Sequence, residues 1–169
     1  DFFAGLRYER VRVDNKAVDI EGRNNFLLPT LGLRMERSTE IASTRAELGF
    51  EFNLPEVADT DKNDLDELGR LDPDDSWLSL QWDFSHSVYL EPLFFRNKWE
   101  DTGPNGSPTL AHELALSFRG QYTFDARLVP NYEQVAGGLY TVRGYDESIV
   151  AGDTVIVASA EYRFHLPQA

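Results

Sequence analysis

The chain has 169 residues, no cysteine and a formal net charge of -13 at pH 7. It is long enough for one ordinary domain with a core, and the missing cysteines exclude a disulfide framework and any thiolate metal site. The acidic balance excludes nucleic acid as a partner, because phosphate binding needs a basic patch that this sequence does not offer.

The N-terminal stretch DFFAGLRYERVRV has no basic region followed by an apolar core, so no signal peptide is expected. Its alternation keeps Ala4, Leu6 and Tyr8 in phase and then slips at Glu9–Arg10, which predicts a strand with a bulge. LGLRMER (Leu31–Arg37) predicts a second strand, with Leu31, Leu33 and Met35 against Arg34 and Glu36. A short TEIA link leads to a third, RAELGFEFNL (Arg45–Leu54). There Ala46, Leu48, Phe50, Phe52 and Leu54 oppose Glu47, Gly49, Glu51 and Asn53.

From Asn53 to Ser76 the chain is acidic: nine Asp and Glu against Lys62 and Arg70 leave a charge of -7. A turn is predicted at DLDELGRL, and no amphipathic helix elsewhere. The fourth strand is WLSLQWDFS (Trp77–Ser85), with Leu78, Leu80, Trp82 and Phe84 against Ser79, Gln81 and Asp83. The fifth is ELALSFRGQYTFDARL (Glu113–Leu128). It sets Leu114, Leu116, Phe118, Tyr122, Phe124, Ala126 and Leu128 against Ser117, Arg119, Gln121, Thr123, Asp125 and Arg127. The sixth, TVIVASAEYRFHL (Thr154–Leu166), sets Ile156, Ala158, Ala160, Tyr162, Phe164 and Leu166 against Ser159, Glu161, Arg163 and His165.

Period-two alternation of this kind predicts antiparallel strands with one apolar and one polar face. The longest predicted strands exceed the five or so residues common in soluble sheets. Of the basic residues only Lys16, Lys62 and Lys98 are lysines; the 13 arginines lie mostly in patterned segments, where a planar fork of donors suits fixed pairing with carboxylates. Apolar runs such as PLFF are too short for a membrane-spanning helix, which leaves a membrane β-barrel open. A soluble β-sandwich binding module satisfies the same alternation, so both readings stand at this level.

Candidate chemical sites are few. DTDKNDLDEL (Asp59–Leu68) has the density of a calcium loop but puts Asp64 where an EF-hand needs glycine and Arg70 where it needs glutamate. It reads as a solvated loop. DFSHS (Asp83–Ser87) brings acid, serine and histidine together, yet on a strand Ser85 and Ser87 face away from His86, against a catalytic arrangement. His112 has no second histidine four residues on, so no zinc helix is encoded. His165 ends a strand. The chain is expected to be no enzyme and to need no cofactor or metal.

GGLYTVRGYDE remains. An arginine between a β-branched residue and a glycine, ahead of an aromatic, has no role in a plain hairpin. Taken as a whole, LVPNYEQVAGGLYTVRGYDESIVAGDTVIVASAEYRFHLP resembles the two-partner secretion transporters, the hemolysin secretion/activation proteins of the ShlB/FhaC/HecB type. These belong to the BamA/TpsB superfamily of outer-membrane barrels. The resemblance rests on Glu133, Gly137–Gly138, Val142-Arg143-Gly144-Tyr145, Glu147, Gly152–Asp153 and Glu161-Tyr162-Arg163-Phe164, and is specific over roughly 114–167. Thr141 stands where serine is common, and FHLP replaces the usual phenylalanine-proline-leucine ending.

The resemblance implies an all-β fold: residues 1–169 as part of a transmembrane antiparallel β-barrel, about six consecutive strands with a long loop folded into the lumen. The periplasmic domains and final strands would lie outside this stretch. It implies that Arg143 is the loop-tip arginine, that Gly144 permits the turn and that Tyr145 packs the tip. The acidic receiver of Arg143 would sit on the strand after the one ending at Phe164. Asp83, Glu47, Glu51 and Glu161 face inward as secondary partners. The implied protein is monomeric and sits in Gram-negative outer-membrane lipid. It exports an unfolded partner polypeptide through the lumen, with the loop as plug or switch and partner folding outside the cell as the energy source. Within the superfamily, a barrel assembly factor is the alternative.

Overall fold

The computed structural model describes every residue except 17–19, 96–98, 100–109, 139–140, 142–143 and 167–169. Six strands make one antiparallel sheet: β1 (Phe2–Asn15), β2 (Ile20–Ser38), β3 (Ala42–Phe52), β4 (Leu78–Tyr89), β5 (His112–Tyr122) and β8 (Val155–Phe164). They are hydrogen-bonded in the order β1-β2-β3-β4-β5-β8. A small ribbon of β6 (Gln134–Ala136) and β7 (Val150–Gly152) lies within the β5–β8 connection, and two short helices, α1 (Pro55–Ala58) and α2 (Glu91–Phe95), lie in others. The protein is all-β and its sheet is open, with β1 and β8 as the two edges.

Antiparallel succession fixes which connections share an end. The β1–β2 hairpin, the acidic 53–77 segment and the 123–154 connection emerge at one end, called upper here. The β2–β3 turn and the 90–111 connection emerge at the lower end. Long connections therefore emerge at both ends of the sheet.

Register then sorts the side chains into two faces. Leu31, Phe50, Leu80 and Tyr122 lie side by side across β2, β3, β4 and β5, as do Leu33, Leu48, Trp82 and Gly120. This outer face is apolar. The opposite, inner face carries the row Arg34, Glu47, Asp83 and Arg119, in which two central carboxylates are flanked by an arginine on either side. Cross-strand pairs of opposite charge stabilise a sheet modestly and specify its register. Arg34 donates to Glu47 at 2.8 Å, and Arg45 donates to Glu36 at 2.7 Å.

Three expected strand limits are corrected by the structure. β1 pairs with β2 without interruption from Phe2 to Asn15, so there is no bulge at Glu9–Arg10. What changes there is the face that is apolar: Leu6 and Tyr8 point outward, whereas Val11 and Val13 join an inner cluster. β2 begins at Ile20 rather than Leu31, because NNFLL loses its alternation where a loop covers the inner face as well. β5 ends at Tyr122 rather than Leu128, since Phe124 (φ 53°) and Asp125 (φ 68°) are left-handed and turn the chain out of the sheet.

The buried core is on the inner face, at the upper end. Val11, Phe26 and Leu28 of β1 and β2 pack with Leu65, Leu68 and Trp77 of the acidic segment and with Leu128 and Val129 of the 123–154 connection. The acidic segment is therefore folded, not merely solvated. Buried Asn24 accepts from the Asp61 amide at 3.0 Å and donates to the Asp61 carbonyl at 2.6 Å, while Asn53 donates to the Asp75 carbonyl at 2.6 Å. Its carboxylates mostly face solvent, while Leu65 and Leu68 pack into the cluster against the sheet.

Candidate functional site

The 123–154 connection leaves β5 and turns back over the inner face. Tyr132, in the turn Pro130–Tyr132, meets Phe26 edge-on with ring centroids 5.0 Å apart and lies 5.4 Å from Trp77. Its hydroxyl donates to Glu9 at 3.0 Å, and burial together with that carboxylate pushes the phenol well above its ordinary range. It stays protonated and stays a donor. Gln121, on the inner face of β5, donates to the carbonyls of Tyr132 (3.0 Å) and Asp153 (3.1 Å), one on each limb of the connection. Gln134, at the start of the ribbon, lines a cavity of about 360 Å³ with Thr30, Glu47, Gln81, Asp83 and Arg119. The connection thus folds inward at its base.

Glu133 and Asp153, which the sequence singles out, meet at one guanidinium. Arg70 forms a bidentate pair with Asp153, Nη1 to Oδ1 at 2.6 Å and Nη2 to Oδ2 at 2.7 Å. Nη1 also donates to Glu133 at 2.5 Å and to the Leu128 carbonyl at 2.9 Å. The Leu128 amide donates to Asp153 Oδ1 at 2.9 Å. The side chains of Arg70, Glu133 and Asp153 are only 23%, 15% and 21% exposed, so the charges are partly dehydrated. Burial opposes ionisation of Asp153, but Arg70 and the Leu128 amide outweigh it and hold the carboxyl below its ordinary range. The hydrogen bond from Arg70 to Asp153 raises the guanidinium further above its already high value. In the sequence Arg70 stands as one of two cations in the acidic segment and as the residue that breaks the EF-hand pattern. No local signal marked it, because its partners lie 63 and 83 residues away.

Above this point stands the ribbon, with Gln134 opposite Gly152 and Ala136 opposite Val150. Gly137 and Gly138 have φ of 128° and 84°, and a Cβ on Gly137 would collide with the Asp146 carbonyl. Both positions need glycine for conformation and for space. Thr141 closes the turn: its hydroxyl accepts from the Gly137 amide at 2.6 Å and donates to the Gly137 carbonyl at 2.5 Å. The Glu147 side chain packs against Gly138. Gly144 is left-handed at φ 91°, as its expected turn requires. Tyr145 is 61% exposed among the described residues. Val142 and Arg143 lie outside the described residues.

The remaining residues lie on the inner wall. Glu161 and Arg163 of β8 pair at 3.0 Å, and Arg163 reaches Glu113 at 3.4 Å. Glu113 also receives His165 Nε2 at 2.7 Å. Glu51 accepts from Arg7 at 3.0 Å and Glu47 from Arg34, so these carboxylates already serve the wall itself. Ser85 and Ser87 face inward and His86 outward, bonded to Thr44 at 2.9 Å. Among the described residues no cluster of His, Asp and Glu could hold a metal ion, and no helix is long and apolar enough to cross a membrane.

No family model matches the chain, and no curated protein and no solved structure is significantly similar to it.

Proposed function

We propose that these six strands are part of an outer-membrane β-barrel that exports a partner polypeptide, as in two-partner secretion, with the 123–154 connection as its inward-folded loop. One observation carries the membrane part of this reading: the polarity of the sheet is inverted relative to a soluble protein. Phe2, Leu6, Leu31, Leu33, Met35, Phe50, Phe118, Ile156, Tyr162 and Phe164 are all at least two-fifths exposed on the outer face. Among the described residues, the buried hydrophobic cluster packs on the charged side, under the loops. Contiguous apolar surface on this scale is foreign to soluble monomers, whereas lipid covers it in a barrel. A sandwich would bury that face against a second sheet, but the other sheet among the described residues, the β6–β7 ribbon, stands over the inner face.

The export part rests on the Val142-Arg143-Gly144-Tyr145 resemblance and is supported by the inward course of the connection that carries it. Arg143 supplies the loop tip with a charge whose pairing on the inner wall is worth about 1.5–3 kcal/mol, comparable with loop anchoring and far below what holds a barrel together. The full-length protein carrying Arg143→Ala should therefore reach the outer-membrane fraction yet secrete its partner poorly. Arg143→Lys should rescue only in part, because a point charge does not reproduce the planar fork. Secretion at the unsubstituted level by Arg143→Ala would overturn the export reading; absence of the unsubstituted protein from the outer-membrane fraction would overturn the membrane reading.

A further inference from the structure

The inward loop has a second fixed point, and it is supplied by a different loop. Arg70 belongs to the acidic segment between β3 and β4, whereas everything it grips belongs to the 123–154 connection. Leu128 and Glu133 are on the limb leaving β5; Asp153 is on the limb entering β8. One guanidinium therefore closes both limbs at the foot of the β6–β7 ribbon, one residue below its first pair, Gln134–Gly152. The two loops are also tied through their backbones, since the Asp74 amide donates to the Arg127 carbonyl at 2.7 Å and the Asp74 carboxylate accepts from the Arg127 amide at 2.8 Å.

We propose that Arg70 is a positioning residue that sets the direction in which the β6–β7 ribbon leaves the sheet. The ribbon is stiff enough to transmit that setting: three paired residues on each strand lead into the tightly packed Gly137 and Gly138. Without Arg70, two carboxylates that now share a cation face each other in a partly dehydrated site. Such a pair repels, and the limbs separate. The link from this geometry to export rests on the proposed function, but the positioning itself does not.

Neighbouring charge reinforces the assignment. Arg127 lies near Asp153 on the solvent side, and Tyr132 turns its hydroxyl toward Glu9. Neither reaches between Glu133 and Asp153, so among the described residues Arg70 is the cation at the centre.

The test is amide hydrogen exchange on the full-length protein in detergent, comparing residues 134–136 and 150–152 with β3 and β4. Losing a charged hydrogen-bonded pair of this kind should lower protection in the ribbon by roughly ten- to a hundredfold. In Arg70→Ala this loss should be confined to the ribbon and its limbs, and Asp153→Asn, which keeps the shape, should show it more weakly. Acid gives a sign that packing alone does not produce. As pH falls into the carboxylate range, Arg70→Ala should regain ribbon protection because one carboxyl can protonate and bond to the other, whereas the unsubstituted protein should not gain. Unchanged ribbon exchange in Arg70→Ala would overturn the proposal. So would a loss spread evenly over β3 and β4, or the absence of acid recovery. Lipid embedding is read separately, by labelling of the sheet faces, so the two ideas fail independently.

Discussion

Asp153 joins three roles in one side chain: it receives Arg70 through both oxygens, caps the Leu128 amide, and precedes β8. The depressed carboxyl has a definite consequence for pH. A group whose folded pKa lies below its unfolded value stabilises fully above the unfolded value, and the contribution is lost as pH falls through the folded one. With an ordinary value of 3.8 for this carboxyl, lowering the pH from 7 to about 5 should leave ribbon protection unchanged, and loss should begin only below the ordinary carboxylate range. Asp153→Asn should already be loosened at neutral pH and should show no further step in acid from this position. Amide exchange of residues 150–152, corrected for the intrinsic pH dependence, measures both. Loss of protection between pH 7 and 5 in the unsubstituted protein would mean that another group governs the clasp.

At the level of elements, alternation made the sheet readable and loops made it less so. The third, fourth and sixth strands match closely because each has one bare apolar face and one polar face, the condition under which period two survives in sequence. β2 was half hidden because the core of the upper end sits on its inner face, giving Phe26, Leu27 and Leu28 in a row. β5 was read too long because Thr123 to Leu128 alternates without being a strand; Leu128 is buried through a turn. Glu133 and Asp153 are each legible among the residues that carry the resemblance, yet their shared partner is not, since only folding brings Arg70 between them. The face assignment itself can be measured. With single cysteines in the otherwise cysteine-free protein, in membranes, water-soluble maleimides should modify positions 117 and 119 and spare 118 and 122. Equal modification at all four would remove the basis for an outer face in lipid.

For the molecule as a whole, the decisive fact is that its best-packed region and its largest apolar surface are on opposite sides of one sheet. The cluster around Phe26, Leu65 and Leu128 fixes the loops to the upper end, but it does nothing for Leu33, Phe50, Phe118 or Tyr162. Nor does it satisfy the outward backbone groups of β1 and β8, which have one strand neighbour each. An open sheet with two long edges and a bare apolar face is a template for pairing with other copies, and water offers no arrangement that hides both. A closed barrel in lipid removes the edges and covers the face together. Residues 1–169 expressed alone in water should therefore aggregate, and should disperse in detergent micelles with strand content retained by circular dichroism. A monodisperse aqueous sample with a sharp, cooperative melt would show that the apolar face is covered within the soluble chain, and the soluble β-sandwich would then be the better reading.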